Sequence, residues 1–268
     1  MQQVPGGTVQ RRMSGMNSIG GVLPRVVAFQ ERLARRTAQT VTPFRGGFAV
    51  LDDRYPVSYE HNQLFVTAPA AAPELLAETD RVLRRRRHRQ ITVLDDALGR
   101  RLAPRLQAAG YVQDHLVVMA LQGRPGRPGS VPVERVPLED LRQAVSRSWT
   151  DQDPDLPEDV VRQLFERRFA TAAACQLSSH VVQANGGVVA WCHLYRLGDE
   201  AQVESVNTLP GWRRRGFARA VVMDAVAAAA EAASDLVFLL ADREDWPWRF
   251  YERLGFAVIG EQHVFVRR

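Results

Sequence analysis

Lysine is absent from this sequence, and cysteine is almost absent. All 35 basic residues of the 268-residue chain are arginine, and Cys175 and Cys192 are its two cysteines. Neither cysteine belongs to a C-x-x-C pair, and no group of histidine and cysteine has the spacing of a zinc site. The pattern argues against a disulfide scaffold, and we expect no metal in this protein.

Long apolar runs are also missing. No stretch approaches the roughly 18–20 consecutive apolar residues that a membrane-spanning helix needs. Near the N-terminus, Arg25, Arg32 and Arg35 interrupt the apolar residues, whereas a signal peptide requires an unbroken apolar core there. We therefore expect a cytoplasmic protein with no membrane partner.

The charge balance is basic, with a net charge of +5 and a pI ≈ 9.8. Exclusive use of arginine, together with many alanines, is typical of a GC-rich coding sequence, so this balance says little about partners. The run Arg84–Arg89 has two interpretations: a grip on nucleic acid or an acidic partner, and the solvated C-terminal turn of a helix. We favour the second, and no nucleic-acid partner is expected.

A segment rich in glycine and proline divides the chain. Residues 123–130 hold three glycines and two prolines, a composition that favours neither a helix nor a strand ladder. We interpret them as a linker between a first half, residues 22–122, and a second half, residues 131–268, with a flexible tail over residues 1–21. Alternation of predicted strands and helices in both halves indicates an α/β fold with a mixed central sheet flanked by helices.

The two halves end alike, which suggests a duplicated fold. Asp96 is followed by a predicted helix, Gly110 and a strand, and Asp242 is followed by a predicted helix, Gly255 and a strand. We also expect one strand over residues 44–50 and a closing hairpin over residues 256–267.

The stretch from Val203 to Ala220 has the pattern of an anion site. An apolar strand runs into a turn, three arginines follow, and Gly216 precedes a long helix rich in alanine and valine. The first N–H groups of a helix lack intrahelical acceptors, and the helix dipole favours negative charge there. A glycine at that point leaves room for a phosphate oxygen.

Two motifs within the second half resemble those of the GCN5-related N-acetyltransferase (GNAT) family. Arg213-Arg-Arg-Gly216-Phe-Ala218 matches the family's Arg/Gln-x-x-Gly-x-Gly/Ala loop, and Tyr251-Glu-Arg-Leu-Gly255-Phe256 matches its C-terminal Tyr-x-x-x-Gly-Phe. The resemblance covers about residues 131–268. It implies the acyl-CoA N-acyltransferase fold, here in tandem with a degenerate N-terminal GNAT-like domain.

The resemblance also implies site residues and acetyl-CoA as the co-substrate. Tyr251 would protonate the departing thiolate, and Glu204 is our candidate for the base, although an exposed strand glutamate without a catalytic role is an equal alternative. The residues expected to hold coenzyme A belong to the strand, the loop and the helix start: Val206, Asn207, Thr208, Arg213, Arg214, Arg215, Gly216, Phe217, Ala218 and Arg219.

The resulting hypothesis is an N-acetyltransferase that acts on a primary amine by direct attack in a ternary complex. A small-molecule amine is the expected acceptor, and a protein amine stays open. The alternative is an acyl-CoA sensor or nucleic-acid-binding module without turnover. The first half has no arginine-glycine loop before its helix at Pro73, so we expect one active site per chain and a scaffold or acceptor-wall role for that half.

Three further features each have two interpretations. The acidic segment from Asp151 to Asp159 either lines the acceptor site or is a solvated loop. His193 is either a base or a hydrogen-bonded strand histidine. Trp246 and Trp248 either wall the site or pack in the core.

Overall fold

The computed structural model describes residues 19–123 and 129–268. The elements of the first half alternate between helices and strands: α1 (Ile19–Thr37), β1 (Thr40–Phe44), β2 (Gly47–Leu51), β3 (Gln63–Val66), α2 (Ala72–Val82), β4 (Arg89–Val93), α3 (Asp96–Ala108) and β5 (Val112–Leu121).

The second half repeats this alternation with one extra strand at its start. Its elements are β6 (Glu134–Val136), a 3-10 turn (Leu138–Leu141), α4 (Arg142–Thr150), α5 (Glu158–Ala174), β7 (Gln176–Ala184), β8 (Gly187–Leu197), β9 (Glu200–Thr208), a 3-10 turn (Pro210–Trp212), α6 (Phe217–Glu231), β10 (Leu236–Asp242), α7 (Pro247–Glu252) and β11 (Phe256–Arg267).

All these strands belong to one mixed sheet in the order β1-β2-β3-β4-β11-β5-β10-β9-β8-β7-β6. The pairing is symmetric about β11 and β5, which are antiparallel neighbours. On either side lie an antiparallel strand (β4 or β10), a parallel one (β3 or β9), and then antiparallel strands: two on the first half's side (β2 and β1) and three on the second half's side (β8, β7 and β6). The mixed α/β fold and its duplication are thus confirmed.

The symmetric arrangement exchanges the last strand of each half. β11 lies between β4 and β5, and β5 lies between β11 and β10. Each half therefore borrows the other's final strand to complete its part of the sheet. Gly110 and Gly255, the two glycines that precede these strands, both have positive φ, +85° and +97°, as expected for equivalent helix ends.

Two sequence predictions about strands were wrong. Residues 44–50 form the turn and strands of a hairpin, and Gly46 adopts φ +106° in the turn. A Cβ added at Gly47 would lie 1.9 Å from the Phe65 carbonyl oxygen, so a side chain there would collide with β3. Residues 256–267 form one continuous strand, because β11 pairs with β5 from Phe256 to Val266 and with β4 from His263 to Arg267. Gly260 marks only a bulge in that strand.

Helix α1 of the first half packs beneath the second half's part of the sheet. Phe29 contacts Phe238 of β10 edge to face, with ring centroids 5.0 Å apart, and both side chains are fully buried. Arg25 and Arg32 of the same helix form ion pairs with Glu200 at the start of β9. Apolar burial and paired charges therefore both join the halves. Within the described ranges, none of the helices has the length and apolarity to cross a bilayer.

A polar seam runs along the β5–β11 pair. The His263 ring is held by Asp96 through Nε2 (3.0 Å) and by Gln113 through Nδ1 (2.8 Å), and it stacks on His115 with centroids 4.7 Å apart. One ligand atom each from Asp96, His115 and His263 lies within 4.8 Å of the others. Gly99 of α3 lies directly against the ring, since a Cβ there would come within 2.0 Å of it.

We predict that Gly99→Ala destabilises the protein, because the His263 ring is held on both sides and cannot yield. The expected loss is about 1–3 kcal/mol of unfolding free energy, typical of overpacking, measured by urea denaturation. Gly21→Ala is the matched control, because nothing lies within 4 Å of its added Cβ and alanine favours helix. Equal stability of the two variants would contradict the prediction.

Candidate functional site

Strands β9 and β10 begin as a parallel pair and then separate. Their pairing is confined to Glu200–Gln202 opposite Leu236–Phe238, although β9 continues to Thr208 and β10 to Asp242. From Val203 onward, the edge of β9 that faces β10 therefore has no ladder partner. Unpaired backbone groups at such an opening are available to a ligand.

A bulge in β9 lies at this opening. The β8–β9 register shifts between Trp191 and His193, opposite the β9 residues between Asn207 and Glu204. Ser205 adopts φ +54° there, a conformation that non-glycine residues adopt only under local constraint. A bulge redirects the backbone N–H groups that follow it.

Helix α6 begins beside the end of β9. Its N-cap is Gly216 with φ +81°, and a Cβ added at Gly216 would meet nothing within 4 Å. The first intrahelical bond found there joins the Ala220 N–H to the Gly216 carbonyl at 3.0 Å. The preceding N–H groups of the first turn therefore point out of the helix without internal acceptors.

Four exposed arginines surround the start of α6: Arg213, Arg214, Arg215 and Arg219. The Nε of Arg213 donates to the Thr208 carbonyl (3.2 Å), and the Arg215 guanidinium lies 4.8 Å from the centroid of the Trp212 ring. In the described parts of the chain, none of the four forms an ion pair with a carboxylate. Their charge thus adds to that of the helix dipole.

The helix start, the end of β9 and helix α7 enclose a cavity of about 790 Å³, which we name the loop cavity. It is lined by Val206, Asn207, Thr208, Trp212, Arg213, Arg214, Gly216, Phe217, Ala218, Arg219, Asp245, Trp246, Pro247, Phe250, Tyr251 and Arg253. The predicted cofactor residues thus come together there, except that Arg215 is absent from the lining.

Tyr251 lies on the α7 wall of the loop cavity, and only 8% of its surface is exposed. Burial raises the pKa of its phenol above the ordinary value, and the nearby Glu204 carboxylate raises that pKa further. The phenol is therefore protonated at neutral pH and can donate a hydrogen bond or a proton into the cavity.

The sequence matches a known protein family over the part of the chain that forms this site. Residues 138–256 match the model of the acetyltransferase (GNAT) family. These residues form a GNAT domain. The assignment supports an acyltransferase activity. The β9–β10 opening, the Gly216 loop and Tyr251 all lie within the matched range. No curated protein gives a significant match to the sequence.

Solved structures share the fold over both halves. A GCN5-related N-acetyltransferase from Kribbella flavida has a TM-score of 0.60 at 18% identity, covering 91% of this chain and 94% of its own. A functionally unknown conserved protein from Staphylococcus epidermidis has a TM-score of 0.65 at 13% identity, with 86% and 94% covered. At these identities the likeness concerns the fold alone.

Glu204 of the GNAT domain lines a second cavity rather than the loop cavity. It is half-buried, and Oε2 accepts a hydrogen bond from the Gln202 amide at 2.8 Å. Burial raises the pKa of its carboxyl, and the charge of Glu60 acts in the same direction. A carboxylate with a raised pKa is a better proton acceptor than a solvated one.

This second cavity, which we name the junction cavity, has a volume of about 390 Å³ and receives side chains from both halves. Its polar lining residues are Gln30, Thr37, Glu60, His61, Gln63, Gln90 and Thr92 from the first half, and Arg167, Arg168, Thr171, Tyr195, Gln202, Glu204, Ser205, Asp242 and Gln262 from the second. Ser205 and Val206, neighbours on β9, line different cavities. The two cavities therefore flank the β9–β10 opening.

Sequence patterns did not reveal most residues of the junction cavity. Arg167 and Arg168 follow Arg162 on α5, a helix whose arginines look like a solvated face. Glu60 and His61 lie in a turn-rich segment far from them in sequence. The local signal for Arg168 was its helical spacing from Val161 and Phe165, which places it on the buried face of α5.

The tryptophans, the histidine and the acidic segment that each had two interpretations in the sequence lie in different surroundings. Trp246 lines the loop cavity, whereas Trp248 packs against the apolar core around α6. His193 is fully buried beside Ser179 (Nδ1 to Oγ, 3.0 Å), and burial lowers its pKa to about 3. None of the acidic side chains between Asp151 and Asp159 lines either cavity.

The arginine run lies beyond the end of α2, which ends at Val82. Arg86 pairs with Asp53 (2.5 Å) and Arg89 with Asp80 (3.0 Å). Part of the run's charge is thus already matched by carboxylates of the same half.

Proposed function

We propose that this protein transfers the acetyl group of acetyl-CoA to a primary amine in a ternary complex. The observation that carries the proposal is the pair of cavities meeting at the β9–β10 opening. One cavity has an anion-binding helix start and a buried phenol, and the other has a carboxylate with a raised pKa. Two substrates can therefore approach one point from opposite sides.

The loop cavity fits coenzyme A. A diphosphate would accept hydrogen bonds from the first N–H groups of α6 and form ion pairs with Arg213, Arg214 and Arg219. The pantetheine arm of coenzyme A, which carries amide groups, would extend along the unpaired edge of β9 at Val206, Asn207 and Thr208. Thr208 Oγ1 is buried without a hydrogen-bond partner among the described residues, as expected of a group that a ligand would satisfy.

The proposed reaction needs no covalent enzyme intermediate. The neutral amine attacks the thioester carbon, so that the N–C bond forms while the C–S bond breaks. The amine proton passes to Glu204, through water, and the departing thiolate takes a proton from Tyr251. Backbone N–H groups after the Ser205 bulge would stabilise the oxyanion.

We propose no second active site in the first half of the chain. In the first half, β3 stays paired with β4 to its last residue, Val66 opposite Val93. Helix α2 begins with Ala71 as N-cap and proline in its first turn. The opening and the glycine loop therefore exist in the second half alone, among the described residues.

The anion-binding role of Gly216 predicts a loss of coenzyme A affinity in Gly216→Leu. A side chain there would occupy the space of a phosphate oxygen, so we expect affinity to fall about tenfold or more, equivalent to about 1.4 kcal/mol, by calorimetry with coenzyme A.

Gly186→Leu is the matched control for this variant. Gly186 has φ +77° and nothing within 4 Å of an added Cβ, as Gly216 has φ +81° and the same open surroundings. Both variants therefore carry the same backbone strain. Unchanged coenzyme A affinity in Gly216→Leu would overturn the assignment of the loop cavity.

The role of Tyr251 predicts a lower kcat in Tyr251→Phe with little change in KM for acetyl-CoA. Loss of a general acid costs about 10²-fold or more, measured as thiol release in the presence of an amine. Tyr111→Phe is the control, because Tyr111 is also buried and lines neither cavity. A kcat equal to that of the control would exclude Tyr251 as the proton donor.

The role of Glu204 predicts a pH profile. A base acts only when deprotonated, and burial raises the pKa of Glu204 above its ordinary 4.5. The kcat/KM should therefore rise as pH increases through that raised pKa, and Glu204→Gln should lower kcat/KM by about 10²-fold and remove this limb. An unaltered profile, matching that of the exposed-strand control Glu134→Gln, would show that Glu204 is not the base.

A further inference from the structure

Arg168 carries a buried charge that the protein leaves without a counter-ion. The residue is 7% exposed and lines the junction cavity. Its Nη1 donates to the Leu164 carbonyl (2.6 Å), its guanidinium lies 4.9 Å from the centroid of the Trp149 ring, and its Nε has no hydrogen-bond partner in the described residues. Within the same residues, it forms no ion pair.

The neighbouring arginine is in a different situation. Arg167 forms a two-bond ion pair with Glu60 of the first half, in which Nη2 donates to Oε1 at 3.0 Å. The pair is mutual, because Arg167 lowers the pKa of Glu60 to about 2 despite the opposing effect of burial. Glu60 therefore neutralises Arg167 and leaves the charge of Arg168 unmatched.

An unmatched buried guanidinium is costly, because burial removes water without supplying a counter-ion. Burial and the charge of Arg167 lower the pKa of Arg168 to about 10, so the group is still positive at neutral pH. Its aromatic neighbours and one carbonyl offset part of the cost. An anionic group of a ligand would supply the missing partner, ideally in two parallel hydrogen bonds.

The same cavity holds an unmatched group of opposite sign. The Glu204 carboxylate on β9 accepts one hydrogen bond from Gln202, and no arginine or histidine lies within ion-pair distance of it in the described structure. Burial lowers the pKa of Arg168, and the charge of Glu204 acts in the opposite direction. The cavity is therefore polarised, with an acidic wall on β9 and a basic wall on α5.

We propose that the acceptor bound in the junction cavity is an amine that also carries a carboxylate, as in an α-amino acid. Its amino group faces Glu204 and its carboxylate is bound by Arg168. This inference rests on the proposed function and names its acceptor class. A cavity of about 390 Å³ suits a molecule of that size, and a polyamine would instead bring a second cation towards Arg168.

The first half contributes to recognition. Glu60 holds Arg167 in place, and His61 brings a buried Nε2 without a partner in the described residues, as Gln262 of the second half brings a buried Oε1. Burial lowers the pKa of His61 to about 4, so its ring is neutral and adds no second cation. These two groups would hydrogen-bond the remaining polar atoms of the acceptor.

The test compares matched acceptor pairs on the full chain: histidine with histamine, phenylalanine with phenethylamine, and tyrosine with tyramine. Thiol release from acetyl-CoA is followed for each. We expect kcat/KM for the preferred amino acid to exceed that for its decarboxylated partner on the order of 10²-fold or more, because loss of the carboxylate leaves Arg168 unpaired.

Variants of Arg168 assign the preference to this residue. Arg168→Met removes the charge, so KM for the amino acid should rise on the order of 10²-fold while the decarboxylated amine is unaffected. Arg168→Lys should retain part of the preference, and it serves if the methionine variant does not fold. Arg162→Met on the same helix, where Arg162 is exposed and paired with Glu166 (3.4 Å), should leave both acceptors unchanged.

Failure of this inference is distinct from failure of the proposed function. Turnover of decarboxylated amines at rates equal to or above those of the amino acids would overturn the carboxylate preference and leave acetyl transfer standing. A preference that survives Arg168→Met would also overturn it. No thiol release with any acceptor, while coenzyme A still binds, would overturn both together.

Discussion

The loss of pairing between β9 and β10 after Gln202 and Phe238 is the constraint on which the site depends. Three residue pairs hold the strands together, and the Ser205 bulge of β9 lies just beyond them. The opening exposes an unpaired backbone edge, separates the walls of the two cavities, and brings the end of β9 next to the start of α6.

The duplicated fold explains why one half can carry the site while the other supports it. The exchange of β5 and β11 places the first half's last strand against β10. The first half, which has no strand opening, therefore pairs directly with a strand that borders the opening of the second half. The Glu60–Arg167 ion pair and the α1 contacts fix the same junction. The first half has no opening between β3 and β4, and its residues instead form part of the acceptor cavity.

Much of this arrangement could be predicted from sequence, because its signals are local. The Gly216 loop, the helix start and Tyr251 each follow from residues within one strand-to-helix segment. The exchange of final strands could not be predicted, because pairing of β11 with β4 and β5 joins residues far apart in the chain. Glu204 was identified, yet its cavity was not, since Arg168, His61 and Glu60 reach it only through packing between the halves.

Hydrogen–deuterium exchange with and without coenzyme A tests the central claim most directly. Bound coenzyme A should slow exchange at the amides of residues 206–208 that face β10 and at residues 217–219 at the start of α6, because these amides lack protein acceptors in the free state. Saturating coenzyme A that leaves these amides unprotected, or protects only residues elsewhere, would contradict the account.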